Sequence, residues 1–307
     1  MNLTIGTRGS NLALAQTNIV VDLLKQNDPD IDIRLKIIKT RGDTIPNLSL
    51  RSINDPGFFQ KELDTAVSEG IVDIAVHSMK DMPVKQQPET IIACVPERGI
   101  PNDALISKNG VKLMELPQNA TIGTGSFRRK RQINFFRPDL NILDIRGNVD
   151  TRLKKLDEND YDAIILAEAG LIRLKLEQKI SERLSIDDFT PATGQGALAV
   201  VAKADNQEII DILKNINDEN SYKSTLAERA LIKEIGGGCG IPIGAYAEAI
   251  NNKLVLIASA ISMESKRIFV REEGGLNNPD KLGIQVARKL LFKGKDIIFN
   301  KYFKRSI

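Results

Sequence analysis

The chain carries an internal repeat, and this repeat constrains the fold more than any single motif does. The tetrapeptide TIGT occupies residues 4–7 and recurs at residues 121–124. Each copy ends a short apolar segment and is followed by a serine, Ser10 or Ser126, which is suited to cap the N-terminus of a helix. The repeat therefore predicts two strand–turn–helix units of the same kind.

Two further echoes follow in the same order. An apolar segment leading to RGD at 41–43 is matched by one leading to RGN at 146–148, and VDIAV at 72–76 is matched by YDAII at 161–165. Strand–glycine–helix units look alike in many α/β proteins, so chance likeness is the alternative. Three echoes in one order favour a pair of similar α/β domains.

Amphipathic segments alternate with the apolar strands, which predicts largely parallel sheets. The predicted helices of this part cover residues 10–26, 58–69, 126–137 and 206–216. In the first of them, the residues predicted to face the core are Leu12, Ala15, Ile19, Leu23 and Leu24.

The pattern changes after residue 217. A helix is predicted near 221–235, strands near 243–249, 253–261 and 267–272, and a final helix near 278–293. These elements predict a small third domain of the α+β class.

Composition and charge exclude several classes of protein. The 43 basic and 40 acidic side chains leave a net charge of only +3, which favours neither nucleic acid nor a membrane surface as a partner. The chain has no apolar run of about 18 residues and no signal-peptide pattern at its start, so we expect a cytoplasmic protein. Two distant cysteines and one histidine predict neither a disulfide framework nor a zinc site.

Arginines follow the predicted strand ends, where parallel sheets collect ligands and helix N-termini offer N–H groups to anions. The TIGT turns lack the third glycine of a dinucleotide motif, so a carboxylate or phosphate is the better ligand. Several guanidinium groups at one cleft suit a polycarboxylate, whereas solvated surface arginines are the alternative. The arginines concerned are Arg8, Arg41, Arg128, Arg129, Arg146, Arg152 and Arg173.

The segment VDIAVHSMKDMP at 72–83 predicts a buried strand that ends in a charged turn. Asp81 in this turn is the candidate for catalysis, with an ordinary surface carboxylate as the alternative. His77 has no evident partner in the sequence and is interpreted as a structural histidine.

Cys239 lies among glycines in GGGCG at 236–240, which leaves its thiol open to a ligand. A structural turn is the alternative on the residues alone. Cys94, within IIACVP, is predicted to be a small buried apolar residue.

Several motifs, taken together, resemble the porphobilinogen deaminase family along almost the entire chain. Glu228-Arg229 is followed by GGCGIPIG at 237–244, which is similar to the cofactor-attachment pattern of that family. The other similar elements, in family order, are TRGD at 40–43, HSMKDMP at 77–83, RGN at 146–148 and PATGQG at 191–196.

The resemblance implies a three-domain transferase whose first two domains are similar to the lobes of periplasmic binding proteins. Domain 1 would comprise 1–96 with 197–214, domain 2 would comprise 97–196, and domain 3 would comprise 217–307. The implied reaction joins four porphobilinogens head to tail, with loss of ammonia, on a dipyrromethane cofactor held by a thioether to Cys239. The linear tetrapyrrole hydroxymethylbilane would be released by hydrolysis and passed to uroporphyrinogen-III synthase, and a monomer is expected.

The resemblance also implies roles for individual residues. Asp81 would be the catalytic carboxylate, since loss of ammonia leaves a cationic azafulvene that a fixed negative charge stabilises. The implied cofactor-binding residues, besides Cys239, are Asp43, Ser78, Lys80, Thr124, Ser126, Arg128, Arg129, Arg146, Gly147 and Gly196. The implied substrate-binding residues are Arg8, Ser10, Phe59, Arg146, Arg152, Arg173 and Gln195.

One segment departs from the family pattern. Residues 54–57 read NDPG, where the family carries Gly-Gly-Lys-Gly before its active-site phenylalanine, and the proline stiffens this turn. We predict that residues 47–57 form a lid over the cleft.

Two alternatives to the enzyme are a two-lobed anion-binding protein without chemistry and, more remotely, a nucleic-acid-binding protein.

Overall fold

The computed structural model describes residues 1–40, 60–158, 160–236 and 242–294 of the chain. The chain divides into two compact units, of which the first consists of Met1–Gly99 and Gly196–Tyr222. The second consists of Ile100–Gln195 and Lys223–Ile307 and so contains both the second α/β domain and the C-terminal α+β region. The division into three domains drawn from the sequence stays a prediction.

Strands and helices alternate through most of the described chain. The strands are β1 (Asn2–Thr7), β2 (Asp32–Ile37), β3 (Ile74–Ser78), β4 (Thr90–Cys94), β5 (Asp103–Ser107), β6 (Thr121–Gly123), β7 (Asn141–Leu143), β8 (Ala163–Ala167), β9 (Glu182–Arg183), β10 (Leu198–Lys203), β11 (Ile243–Ile250), β12 (Lys253–Ile261) and β13 (Arg267–Gly275). The α-helices are α1 (Asn11–Asn27), α2 (Lys61–Ser68), α3 (Phe127–Phe136), α4 (Val149–Asp157), α5 (Glu168–Arg173), α6 (Gln207–Lys214), α7 (Glu219–Ile235) and α8 (Pro279–Gly294).

Each α/β domain is built on a five-stranded sheet, and the two sheets share one plan. The strand order is β2-β1-β3-β10-β4 in the first sheet and β7-β6-β8-β5-β9 in the second. The first three strands of each order are parallel, and the fourth runs antiparallel to both of its neighbours. The predicted fold class, two α/β domains followed by a small α+β region, is confirmed.

The repeat read from the sequence corresponds to equal places in the two sheets. The two TIGT segments lie in β1 and at β6, and the last echo, at 72–76 and 161–165, overlaps β3 and β8. The RGD segment at 41–43 lies outside the described residues. Even single contacts are duplicated. The backbone N–H of Thr4 donates to the Asp73 carboxylate at 2.6 Å, and that of Thr121 donates to the Asp162 carboxylate at 2.7 Å. The predicted duplication is therefore confirmed, and chance likeness is ruled out.

Both predicted helix caps are present. The Ser10 hydroxyl accepts from the N–H of Ala13 at the start of α1, and the Ser126 hydroxyl accepts from the N–H of Arg129 at the start of α3. These hydroxyls satisfy N–H groups that have no partner within the helix.

The predicted core face of α1 is confirmed in part. Leu24 belongs to the buried core, and Ile19 and Leu23 are half-buried and pack against it, whereas Leu12 and Ala15 are half-buried and are not part of this cluster. The fully buried stripe contains two polar residues instead, because each finds a partner inside the domain. Gln16 donates to the Ser78 hydroxyl at 2.8 Å, and Thr17 donates to the Thr7 hydroxyl at 2.7 Å.

The C-terminal region packs one face of an antiparallel sheet, in the order β11-β12-β13, on α7 and α8. Asn251 and Asn252 join β11 to β12 in a two-residue turn, and both have positive φ, at 49° and 61°. This geometry matches the right-handed twist of a hairpin. In the described part of the chain, no helix combines the length and the apolar character needed to cross a membrane.

Candidate functional site

The turn that carries Asp81 follows the buried strand β3 and is anchored by its backbone. Residues Met79–Asp81 form a single 3-10 turn. The Met79 side chain is buried, and its N–H donates to the carbonyl of Ala197 at 3.0 Å. Lys80 and Asp81 are both exposed, and the Asp81 carboxylate makes no hydrogen bond or ion pair to another described residue. The turn thus holds the Asp81 carboxylate on a fixed backbone, with no hydrogen bond or ion pair to the described residues.

Further predicted site residues of the first unit lie beside this turn. Arg8 and Ser10 directly follow β1, which pairs with β3 in parallel, so the two strands end at the same edge of the sheet. Arg8 is half-buried, and Gly196, with a φ of 89°, accepts a hydrogen bond from the N–H of Gly99 at 3.1 Å. The structure therefore brings together most of the predicted residues of this unit, namely Arg8, Ser10, Ser78, Lys80 and Asp81.

A buried charge network occupies the corresponding edge in the second unit. Arg128 and Arg129 begin α3 and are each only 6% exposed. Both contact the carboxylate of Asp103, which is fully buried, at 2.8 Å and 2.7 Å respectively. Because β5 runs antiparallel to β8, its first residue lies at the edge where the parallel strands end, and Asp103 therefore meets the two arginines.

Opposing effects act on the pKa of Asp103. Burial alone raises the pKa of a carboxyl group, but the two guanidinium groups beside it hold the pKa of Asp103 well below its usual range. Burial lowers the pKa of Arg128, and the charge of Asp103 opposes that shift. The network therefore holds two cations and one anion out of water.

The two arginines differ in how their nitrogen atoms are used. Arg129 donates through Nε and Nη2 to Asp103, through Nη2 also to the amide oxygen of Gln195, and through Nη1 to the carbonyl of Ile165. Within the described residues, Arg128 donates only through Nη1, to Asp103, to Gln132 and to the carbonyl of Thr190. The Nε and Nη2 edge of Arg128 donates to no other described residue, so it can take a further carboxylate.

Other predicted residues surround the same strand ends. Gly147 follows β7 with a φ of 112°, and its carbonyl accepts from Nε of Arg152 at 2.8 Å. Arg173 ends α5, and burial lowers its pKa to about 10. Residues Thr124, Ser126, Arg128, Arg129, Arg146, Gly147, Arg152, Arg173 and Gln195 thus all follow strands of the second unit or contact residues that do.

Sequence reasoning missed three contributors to this unit. Asp103 was not singled out, although an acidic residue at the start of the apolar strand DALIS is a usable signal. Gln132 carried no signal beyond its place on a predicted helix. Glu228 was noted only as part of a motif, yet its fully buried carboxylate accepts from the N–H of Gly194 at 2.5 Å and from the N–H of Ala247 at 2.8 Å.

His77 has a partner that the sequence did not reveal. Its Nε2 lies 3.0 Å from Oδ1 of Asp64 on α2, and both side chains are only 4% exposed. The interpretation of His77 as a structural histidine agrees with its burial, and the sequence did not identify Asp64 as its neighbour. Cys94 is fully buried as predicted, and burial raises its pKa to about 12.

Some predicted residues lie outside the described part of the chain. These are Cys239, Asp43, Phe59, Arg41 and the predicted lid at 47–57. Their roles stay predictions.

Comparison with known proteins identifies the family. The family model described as "Porphobilinogen deaminase, dipyromethane cofactor binding domain" matches residues 3–211, and the one described as "Porphobilinogen deaminase, C-terminal domain" matches residues 222–292. The chain belongs to the porphobilinogen deaminase family.

Similar porphobilinogen deaminases occur in bacteria and archaea. The protein of Clostridioides difficile is 44% identical over 95% of this chain and 97% of its own length. The protein of Carboxydothermus hydrogenoformans is 45% identical over 94% of each chain. A protein of Nitrosopumilus maritimus named probable porphobilinogen deaminase is 42% identical over 98% of this chain and 96% of its own. Among solved structures, the methionine-binding protein MetQ is similar with a TM-score of 0.45 and 11% identity, over 75% of this chain and 93% of that one.

Membership of the porphobilinogen deaminase family confirms two predictions made from the motifs. One is the family itself, and the other is the dipyrromethane cofactor, for which the matched domain is named. The alternative of an anion-binding protein without chemistry is not supported, since the match extends through both family domains.

Proposed function

We propose that the chain is the transferase that joins four porphobilinogens head to tail on a dipyrromethane held by a thioether to Cys239, and then releases hydroxymethylbilane by hydrolysis. The observation that carries the proposal is the match to both porphobilinogen deaminase domains along nearly the whole chain. The arginines at the strand ends of the second unit support it independently, because each pyrrole of such a chain bears two carboxylates.

The described residues fit a polycarboxylate cofactor. Arg128 has an unused donor edge beside the fully engaged Arg129, and a guanidinium group binds carboxylates through two parallel N–H groups. The residues proposed to hold the cofactor are Asp43, Ser78, Lys80, Thr124, Ser126, Arg128, Arg129, Arg146, Gly147 and Gly196. The residues proposed for the substrate and the growing chain are Arg8, Ser10, Phe59, Arg146, Arg152, Arg173 and Gln195. When bound, dipyrromethane supplies a free pyrrole α-carbon to which the first substrate is joined.

Asp81 is proposed as the catalytic carboxylate. Positive charge develops on the substrate as ammonia leaves, and a carboxylate on a fixed turn stabilises that charge without reorganising. The same group can accept or return the protons that the condensation moves. Lys80 beside it provides a positive charge for the carboxylates of the growing pyrrole chain.

We further propose that the product is passed to uroporphyrinogen-III synthase and that the protein acts as a monomer in the cytoplasm.

Intact mass of the purified protein tests the proposal. We expect the unaltered protein to exceed the mass of its chain by one dipyrromethane and to convert porphobilinogen to hydroxymethylbilane. Cys239→Ser should show neither the added mass nor the activity, because the oxygen of serine does not form the thioether. Cys94→Ser is the matched control and should keep both. An active Cys239→Ser protein without added mass would contradict the proposal.

A further inference from the structure

A buried carboxylate–imidazole pair lies directly before the turn that carries Asp81. Asp64 is on α2, and His77 is the fourth residue of β3. Their facing atoms, Oδ1 and Nε2, are 3.0 Å apart, but the contact lacks hydrogen-bond geometry, and neither atom makes a hydrogen bond to any residue in the described ranges. Removing a carboxylate from water is costly unless its partner is well placed, so this pair requires an explanation.

The twin domain shows that the fold does not require this pair. The register of β1 with β3 and of β6 with β8 makes Ile74 the counterpart of Ala163, and His77 therefore the counterpart of Leu166. Counted back from the duplicated aspartates of these strands, Asp64 is likewise the counterpart of Leu153. Leu153 and Leu166 belong to one buried apolar cluster, so the same architecture closes with two leucines.

The domain that keeps the polar pair is also the domain that carries the charged turn. By the same register, Asp81 corresponds to Gly170 of the twin, where no carboxylate is present. A carboxylate and an imidazole in contact inside the protein interact more strongly than two apolar side chains do, because the interior screens their charges and dipoles less than water does. A closely fixed strand end is useful here because the turn that carries Asp81 follows it directly.

Asp64 and His77 hold β3 from one face of the sheet. Neighbouring side chains of a strand point to opposite faces, so His77 points toward α2 and Ser78 toward α1. Ser78 is held there by the Gln16 amide at 2.8 Å. The last two residues of β3 are therefore fixed from both sides immediately before the turn begins at Met79.

We propose that Asp64 and His77 are positioning residues that set the direction of the Asp81 carboxylate. The inference rests on the proposed role of Asp81. Neither residue of the pair is proposed to touch the substrate or to carry protons. The pair fixes the end of β3, and the turn transmits that position over the short distance to Asp81.

Replacing the pair by its twin residues tests the proposal. In Asp64→Leu with His77→Leu, the buried polar pair is replaced by the two leucines that fill the equivalent places in the twin domain, so the variant should fold. We expect an unchanged or higher Tm, a normal cofactor mass, a KM within about threefold of the unaltered protein, and a kcat lower by about 10- to 100-fold, since a small misplacement has that effect. Val72→Ala, in the apolar cluster that α2 forms with the sheet, leaves the pair itself unaltered and should lower the Tm while leaving kcat unchanged.

A double-mutant cycle with Asp81→Asn separates positioning from a general structural role. If the pair acts through Asp81, the two leucines should reduce turnover by less than about twofold once Asp81 is already Asn. Independent effects would multiply instead, and that result would overturn the proposal. Normal kcat in the folded leucine variant would overturn it as well, while leaving the role of Asp81 intact. A folded Asp81→Asn protein with normal turnover would overturn the role of Asp81 and this inference together.

If the double variant with two leucines does not fold, single variants at His77 test the proposal. His77→Gln keeps a donor for Asp64, so we expect turnover within about threefold of the unaltered protein. His77→Phe keeps the ring volume without the donor, and its kcat should fall with little change in KM. Equal turnover of the two variants would overturn the proposal.

Discussion

Asp81 lies exposed on a backbone that is held from several sides. Met79 is buried two residues before it, the N–H of Met82 donates to the carbonyl of Met79 at 3.1 Å, and the preceding strand is buried. In the proposed role, a carboxylate in this position would reach the substrate without first losing the conformational freedom of a loop. Its exposure would leave room for the substrate, and the anchored turn would fix the direction of approach.

Asp81→Asn keeps the shape of this side chain and removes its charge. We expect turnover to fall by about 10² to 10³-fold, in line with the loss of one preorganised partner of the transition state. Folding should be unaffected because the exposed carboxylate makes no hydrogen bond or ion pair with another described residue. Single-turnover kinetics on cofactor-loaded protein provide the measurement. Near-normal turnover would show that another group performs the step, and Lys80 would be examined next.

At the scale of elements, much of the fold is predictable from the sequence because its signals are local. The TIGT turns, the capping serines and the alternating apolar pattern each depend on neighbouring residues, and the structure confirms the strands and helices that they predict. The contacts of Arg128 were not predictable in this way. Its partner Asp103 lies on a strand that enters the sheet antiparallel, and no local pattern states which strands become neighbours. For the same reason, the sequence did not reveal the contact between His77 and Asp64.

The contact between β5 and α3 yields a prediction for two adjacent arginines. Arg129→Leu removes three engaged nitrogen atoms from a buried network, and we expect a loss of about 3 to 5 kcal/mol in the free energy of unfolding. Arg128→Leu also removes the unused donor edge, so it should slow cofactor acquisition, followed by intact mass, more than Arg129→Leu does at a temperature where both are folded. Lys130→Ala is the control, because this lysine of the same helix pairs with the exposed Asp144. Equal acquisition rates for the two leucine variants would contradict this assignment.

At the scale of the whole molecule, the two cysteines provide a direct count of the attached cofactor. Cys94 is fully buried and burial raises its pKa to about 12, so it should not react with a thiol reagent at pH 8 while the protein is folded. In guanidinium, the cofactor-loaded protein should expose one reactive thiol, since the sulfur of Cys239 is then part of a thioether. Cys94→Ser should show none under the same conditions. Two reactive thiols in the loaded, denatured protein would contradict thioether attachment.

The place of β10 in the first sheet determines the order in which the domains can be completed during synthesis. β10 lies between β3 and β4, so β4 joins this sheet only through a strand that the ribosome adds after the whole second α/β domain. The sheet of the second domain, by contrast, takes all of its strands from one continuous stretch, from Asp103 to Arg183. A nascent chain that ends near residue 100 therefore exposes the unpaired edges of β3 and β4. Of the two α/β domains, the one that emerges first from the ribosome is the one that is completed last.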